Sequence, residues 1–280
     1  MKQTIQHIKK TLDPFYPATE IEGFIAIVFQ YYLGYNATQM ILNSDKTIEF
    51  EVENRIESVI ERLKTGEPIQ YILGETTFYD LRFEVNPSVL IPRFETEELV
   101  DGILKKHGNN KLKFLDIGTG SGAIAIAIKK NNPLAEVYAC DISIEALKTA
   151  QKNADLNQVE VHFFHHDVLS DKPLPISGFD LIVSNPPYVC EKEKAAMNRN
   201  VLEHEPHLAL FVPNNDPLRF YRAITLMATQ HLSKNGELWF EINEAYGPEV
   251  ADISTTHGFD AIIIKDINGK DRIVRGIFLH

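Results

Sequence analysis

Cysteine is nearly absent from this chain: Cys140 and Cys190 are the only two in 280 residues. So few, so placed, make neither a disulfide framework nor the ligand spacing of a structural zinc site. Positive charge is scarce as well. Lys and Arg total 28 against 39 Asp and Glu, a formal net charge of -11, and no strong basic cluster compensates locally. That balance argues against a protein that grips nucleic acid mainly through phosphate contacts. Long apolar runs are missing too: the longest, around 24–29 and 123–128, fall far short of the ~20 residues that span a bilayer. The opening Met1-Lys2-Gln3-Thr4 leads into a mixed polar helix with no apolar signal segment, so the cytoplasm is the expected location. What remains is ordinary globular composition, 44% hydrophobic and 24% charged, enough for one large domain and a small one.

The chemistry is concentrated where one strand stops. Phe179-Asp180-Leu181-Ile182-Val183 is apolar apart from Asp180, the pattern of a parallel strand covered on both faces. Asn185-Pro186-Pro187-Tyr188 follows. The prolines end the strand and hold the preceding residues extended, which fixes the carbonyls of Asn185 and Pro186 as an outward-facing acceptor pair. A planar amino group has two N–H donors and a delocalised lone pair, so it needs help to attack carbon. If the Asn185 side-chain oxygen takes one hydrogen and the Pro186 carbonyl the other, the nitrogen is aimed, with Tyr188 stacked on its flat face. Asn is no general base, so such a site works by positioning and electrostatics. Alone, the motif also reads as an Asn-Pro turn beside a core tyrosine.

Its company argues for a nucleoside ligand. Lys113-Phe114-Leu115-Asp116-Ile117 runs into Gly118-Thr119-Gly120-Ser121-Gly122 and an apolar helix from Ala123. Glycines here let a ligand approach the backbone, as in a dinucleotide fingerprint, but no Gly-Lys-Ser/Thr follows and a P-loop is excluded. Asp116 suits a cationic amino-acid ligand better than a pyrophosphate. The strand Ala135–Asp141 ends in an acid about twenty residues past the loop, where a ribose diol is held; capping of the helix Ser143–Asn157 is the competing role for Asp141. A strand from Val159 to Phe164 closes at His165-His166-Asp167-Val168. Asp167 can accept from an adenine amine there while Val168 packs on the ring. The adjacent histidines point to opposite strand faces and make no metal pair.

The remaining pattern frames these motifs. Apolar stripes at Ile21, Phe24, Ile25, Val28, Phe29 and Tyr32, and at Ile48, Val52, Ile56, Val59, Ile60 and Leu63, predict helices stopped by Gly34 and by Gly66 and Pro68, with a short helix from Asn36 or Thr38 between them. Thr76–Tyr79 and Leu81–Val85 predict a hairpin turning at Asp80. Residues 189–206 read as a polar loop that orders on substrate binding, with Glu203-His204-Glu205 on a solvated face. Helices over 219–231 and 244–256, a strand over 236–242, and strands 260–266 and 272–278 joined by Asn268-Gly269 complete a doubly wound sheet with an antiparallel edge.

At this point the motifs coincide with a known family. Asp116 to Gly122 resembles the S-adenosylmethionine loop of class I methyltransferases, and Asn185-Pro186-Pro187-Tyr188 the signature of those acting on planar amino nitrogen. Gly66-Glu67-Pro68-Ile69-Gln70-Tyr71-Ile72-Leu73-Gly74, Leu90-Ile91-Pro92-Arg93, Glu95-Thr96-Glu97 and the stretch from Asp266 to Arg272 are similar to the HemK/PrmC type of peptide chain release factor N5-glutamine methyltransferases. The resemblance implies an α/β fold with a class I methyltransferase-like seven-stranded sheet (94–280), a β-hairpin linker (75–93) and a five-helix release-factor-docking domain (1–74). It implies methyl transfer from S-adenosyl-L-methionine to the glutamine of the release factor Gly-Gly-Gln loop. Gly118 to Gly122 would lie under the methionine portion, Asp141 on the ribose, Asp167 and Val168 on the adenine, and Asn185 with Pro186, Pro187 and Tyr188 on the glutamine; no metal is implied. Phe94 stands where the family usually has proline, and Pro217 and Asn243 where glycine is common. Three rivals are a glutamine methyltransferase of a ribosomal protein, an adenine-N6 methyltransferase on nucleic acid, and a non-catalytic donor-binding scaffold. The acidic balance counts against the second, and the intact Asn185 and glycines against the third.

Overall fold

The computed structural model describes residues 1–279, which form two compact units: Met1–Leu73 with Asn198–His204, and Gly74–Met197 with the chain from Glu205 onward. In the first unit, α1 (Lys2–Leu12), α2 (Ala18–Leu33), α3 (Ala37–Leu42), α4 (Phe50–Leu63) and α5 (Ile69–Leu73) follow one another. The predicted stripes of α2 and α4 bury Ile21, Phe24, Ile25, Val28 and Phe29 against Ile56, Val59, Ile60 and Leu63 in one core. Burying each such side chain is worth about 2 kcal/mol, which helices this short need to persist. Asn36, not Thr38, starts α3: it accepts from the Gln39 N–H at 2.9 Å while its own N–H donates to the Gln39 side chain at 2.9 Å, a reciprocal capping box.

The second unit begins with the hairpin β1 (Glu75–Phe78) and β2 (Leu81–Glu84), which turns at Tyr79 and Asp80. Phe78 and Phe83 are fully buried in the same core as the sheet. Asn153 secures it: the side chain accepts from the Glu84 N–H at 2.6 Å and donates to the carbonyls of Glu84 and Ser121, each at 2.9 Å. The remaining elements are α6 (Phe94–His107), β3 (Lys113–Ile117), α7 (Ala123–Asn131), β4 (Glu136–Asp141), α8 (Ile144–Leu156), β5 (His162–His165), β6 (Phe179–Ser184), β7 (Val189–Cys190), α9 (Arg199–His204, in the first unit), α10 (His207–Leu210), β8 (Phe211–Val212), α11 (Arg219–His231), β9 (Leu232–Glu241), α12 (Gly247–Thr256), β10 (Phe259–Lys265) and β11 (Asp271–Phe278).

Seven strands form the main sheet in the order β10-β11-β9-β6-β3-β4-β5. Helical layers cover both faces, as the apolar run of β6 requires: Leu181 and Val183 enter one core, Phe179 and Ile182 the other. The expected antiparallel edge is formed by the β10–β11 hairpin at one end of the sheet. β11 lies between β10 and β9 and runs against both, because the tight turn after β10 returns the chain into the sheet. β5 starts three residues later than the alternation predicts; the Val159 N–H still bonds back to the Ala154 carbonyl at 3.0 Å, so the helix C-terminus claims those residues first. No described helix is long and apolar enough to cross a membrane.

Candidate active site

The strand carboxyl ends bring the motifs together. β3 and β6 pair in parallel with Ile117 opposite Ser184, and the Ser184 hydroxyl donates to the Ile117 carbonyl at 2.7 Å. Gly118 and Asn185 therefore leave the sheet side by side. β6 and β9 pair with Ser184 opposite Phe240, which puts Glu241 beside Asn185 on its other flank.

The glycine loop is pinned from beneath. The N–H groups of Gly118 and Thr119 donate to the Cys140 carbonyl at 2.9 and 3.0 Å, the Thr119 hydroxyl to Asp116 Oδ2 at 2.6 Å, and the Gly120 N–H to Asp141 Oδ2 at 2.9 Å. Where a Cβ on Gly118 or Gly120 would project there is open space, with nothing within 4 Å. Asp116 is fully buried and its Oδ1 has no partner. Burial pushes its carboxyl up to about 7, against the pull of the Thr119 hydroxyl. An open glycine cradle above a buried acid whose Oδ2 is taken by Thr119 fits the methionine end of S-adenosylmethionine, which carries an ammonium.

Asp141 Oδ1 accepts from the Ser143 N–H at 2.8 Å just before α8, whose N-cap is Ser143 itself, and Asp141 Oδ2 accepts from the Gly120 N–H at 2.9 Å. Burial raises its pKa, and the N–H groups of Ser143 and Gly120 oppose the rise. Each oxygen keeps a lone pair for a hydroxyl. Asp167 folds into a local turn, accepting from the Leu169 N–H at 2.9 Å, and Val168 packs on the core beside it.

Asn185 is held by residues distant in sequence. Its Nδ2 donates to Thr96 Oγ1 at 3.2 Å, Thr96 donates to Glu241 Oε2 at 2.7 Å, and the Tyr188 hydroxyl donates to Glu241 Oε1 at 3.2 Å. Glu241 is 1% exposed, and its burial raises its pKa while Thr96 and the Arg272 guanidinium draw it down. Burial also raises the Tyr188 phenol, with the Glu241 charge adding to it, so Tyr188 stays a donor at neutral pH.

Curated relatives resolve the family. A release factor glutamine methyltransferase of Flavobacterium psychrophilum is 48% identical over 261 residues, spanning 91% of either chain. One of Bacteroides thetaiotaomicron is 44% identical over 275 residues, 98% of this chain and 99% of the other. This chain belongs to the release factor glutamine methyltransferase family. Two family models agree in layout: the PrmC N-terminal domain matches residues 4–74 and the methyltransferase small domain residues 95–209. A solved methyltransferase from Pyrococcus furiosus shares the fold at a TM-score of 0.52 and 17% identity, covering 71% of this chain and 90% of its own.

The segment 189–206 departs from its reading as a polar loop. It contains β7, a 3-10 turn over Glu191–Ala196, and α9. Glu205 is not on a solvated face. Its side chain is 1% exposed, and Oε1 accepts from Arg93 at 2.6 Å while Oε2 accepts from the Ile91 N–H at 3.2 Å. A buried carboxylate needs such partners, and Arg93 lies 112 residues away, outside any local pattern. Thr96 and Glu241 were missed as site residues for the same reason. The available signal was an acid closing the apolar run of β9 beside the strand that ends at Asn185.

Asp116 gives the first prediction. Its folded pKa, about 7, lies above the ordinary carboxylate value of 3.8, so the native state binds the proton more tightly than the unfolded chain. Its contribution to stability is therefore full below the ordinary value and is lost as pH rises towards 7. Against Asp116→Asn, which carries no titrating group there, the wild type should lose stability at up to about 1.4 kcal/mol per pH unit between pH 5 and 7. Urea unfolding of both proteins across that range measures the slope; parallel pH profiles would refute it.

Proposed function

We propose that this chain transfers a methyl group from S-adenosyl-L-methionine to the side-chain amide nitrogen of the glutamine in a release factor's Gly-Gly-Gln loop. The observation that carries the reading is the presentation of Asn185, with its NH2 engaged by Thr96, next to a glycine loop with open space above it. Gly118 to Gly122 hold the donor's amino-acid end and Asp141 its ribose. Asp167 and Val168 hold its base. When bound, that cofactor supplies an electrophilic methyl on sulfonium sulfur.

The chain's own residues do the rest. Asn185 Oδ1 and the Pro186 carbonyl each accept one N–H of the substrate amide, which fixes the nitrogen's direction and favours loss of its planarity. Tyr188 and Pro187 supply the wall against which the amide lies. No group here has to take the proton: Asn185 is neutral, and the amide loses its proton to water after transfer. Glutamate has no amide hydrogens for the two acceptors and is rejected by up to about 10⁴-fold. The test is incubation of the purified protein with labelled donor and, separately, a release factor and a ribosomal protein, followed by mass spectrometry of the labelled peptide. Label on the Gly-Gly-Gln glutamine is expected. Label confined to the ribosomal protein, or to added oligonucleotide, would overturn the substrate.

A further inference from the structure

We propose that Glu241, acting through Thr96, is the positioning residue that decides which end of the Asn185 amide faces the acceptor pocket. The inference rests on the assignment of Asn185 to the target glutamine. An asparagine amide has two ends of nearly equal shape and opposite hydrogen-bonding sense. With the oxygen forward it accepts from a substrate NH2. With its own NH2 forward it would instead donate to a carbonyl or a carboxylate, holding glutamine the wrong way round and welcoming glutamate. Asn185 cannot make this choice alone.

The chain of hydrogen bonds makes it. Glu241, as a carboxylate, can only accept. Its Oε2 takes the Thr96 hydroxyl proton at 2.7 Å, so Thr96, its one proton committed, can only accept from its other neighbour. That neighbour is Asn185 Nδ2 at 3.2 Å, and the Asn185 oxygen is left to face away. The other Glu241 oxygen takes the Tyr188 hydroxyl at 3.2 Å, so one carboxylate sets both the amide and the ring beside it. Burial works against the Glu241 charge, while the Thr96 and Tyr188 hydroxyls and the Arg272 guanidinium, itself held by Asp266 at 3.2 Å, favour the carboxylate. Thr96 and Glu241 are both buried, 5% and 1% exposed, in places where valine and a neutral isostere would fill the same volume. Packing alone calls for neither a hydroxyl nor a charge there.

The experiment compares wild type with Thr96→Val, Thr96→Ser and Glu241→Gln. It reads kcat and KM on a release factor, donor Kd by calorimetry, and binding of a release factor whose target glutamine is changed to glutamate. Thr96→Val should lose about 10²-fold in kcat, with donor Kd within about twofold, because the glycine loop shares none of these bonds. Thr96→Ser, which restores the hydroxyl, should stay within about threefold of wild type. Thr96→Val and Glu241→Gln should both bind the glutamate-bearing release factor about tenfold more tightly than wild type, an effect that general loosening would not produce. Wild-type kcat in Thr96→Val, equal impairment in Thr96→Ser, or unchanged rejection of glutamate would each overturn the relay. If Thr96→Val fails to fold, Glu241→Gln carries the same readout, because its carboxamide can donate to Thr96 as well as accept. Absence of wild-type turnover on any release factor would overturn the functional reading and the relay with it; wild-type turnover with unchanged variants overturns the relay alone.

Discussion

Asn185→Ala is expected to lose about 10³-fold in kcat while binding S-adenosylmethionine with unchanged affinity. The substitution removes the oxygen that Thr96 leaves free, and with it one of the two acceptors proposed for the substrate amide. The second acceptor, the Pro186 carbonyl, survives, but one acceptor leaves the NH2 free to rotate and its lone pair undirected. Donor affinity should hold because the glycine loop is fastened elsewhere, to Asp116, Asp141 and the Cys140 carbonyl. Asn185→Asp should fail comparably. A carboxylate there faces Thr96, whose only proton already goes to Glu241, so two acids compete for one hydroxyl across a buried site. Single-turnover kinetics with calorimetric donor titration separate the terms, and retention of full turnover in Asn185→Ala would remove Asn185 from the chemistry.

Gly122→Val should act on the opposite step. Gly122 has φ +83, and a Cβ there would come within 2.8 Å of Ile126 Cδ1 and 3.2 Å of Ala150 Cβ. A β-branched residue is an outlier at positive φ, and overpacking costs about 1–3 kcal/mol on top of that strain. The cost falls on the loop itself. The Gly122 N–H closes the turn on the Thr119 carbonyl at 2.9 Å, and the Gly122 carbonyl opens α7 by accepting from Ile126 at 2.9 Å. Donor Kd should rise by at least about tenfold, which corresponds to 1.4 kcal/mol, and chemical denaturation should show a loss of about 3 kcal/mol. A variant with wild-type donor affinity would show that the loop does not need this close helix approach.

The two halves of the site differ in how far the sequence discloses them. The glycine loop and Asn185-Pro186-Pro187-Tyr188 each terminate an apolar strand, so their place on the carboxyl edge follows from the pattern of a parallel sheet. Asp141 was equally open, since strand, acid and helix start are contiguous. The support for Asn185 is otherwise. Thr96 meets Glu241 across 145 residues and Asn185 across 89, and its own neighbourhood, Glu95-Thr96-Glu97, looks like any acidic first turn of a helix. Glu205 misled for a related reason: between a histidine and a proline it looks solvated, and only Arg93 and the Ile91 N–H explain its burial. The direction of β11 follows from the hairpin signal, but its place between β10 and β9 does not, because such a signal fixes how two strands join and not which of them the sheet takes inside.

That insertion bears on biosynthesis. β9, which ends in Glu241, has β11 as its outer neighbour, yet β11 leaves the ribosome later than β9, after α12 and β10. Until Asp271–Phe278 emerges, the nascent chain holds an open hydrogen-bonding rim along β9 and lacks the guanidinium of Arg272 beside Glu241. The surroundings of Glu241 are therefore complete only once β11 has emerged, and chains cut short before Asp271 should fold in part yet leave Glu241 without Arg272.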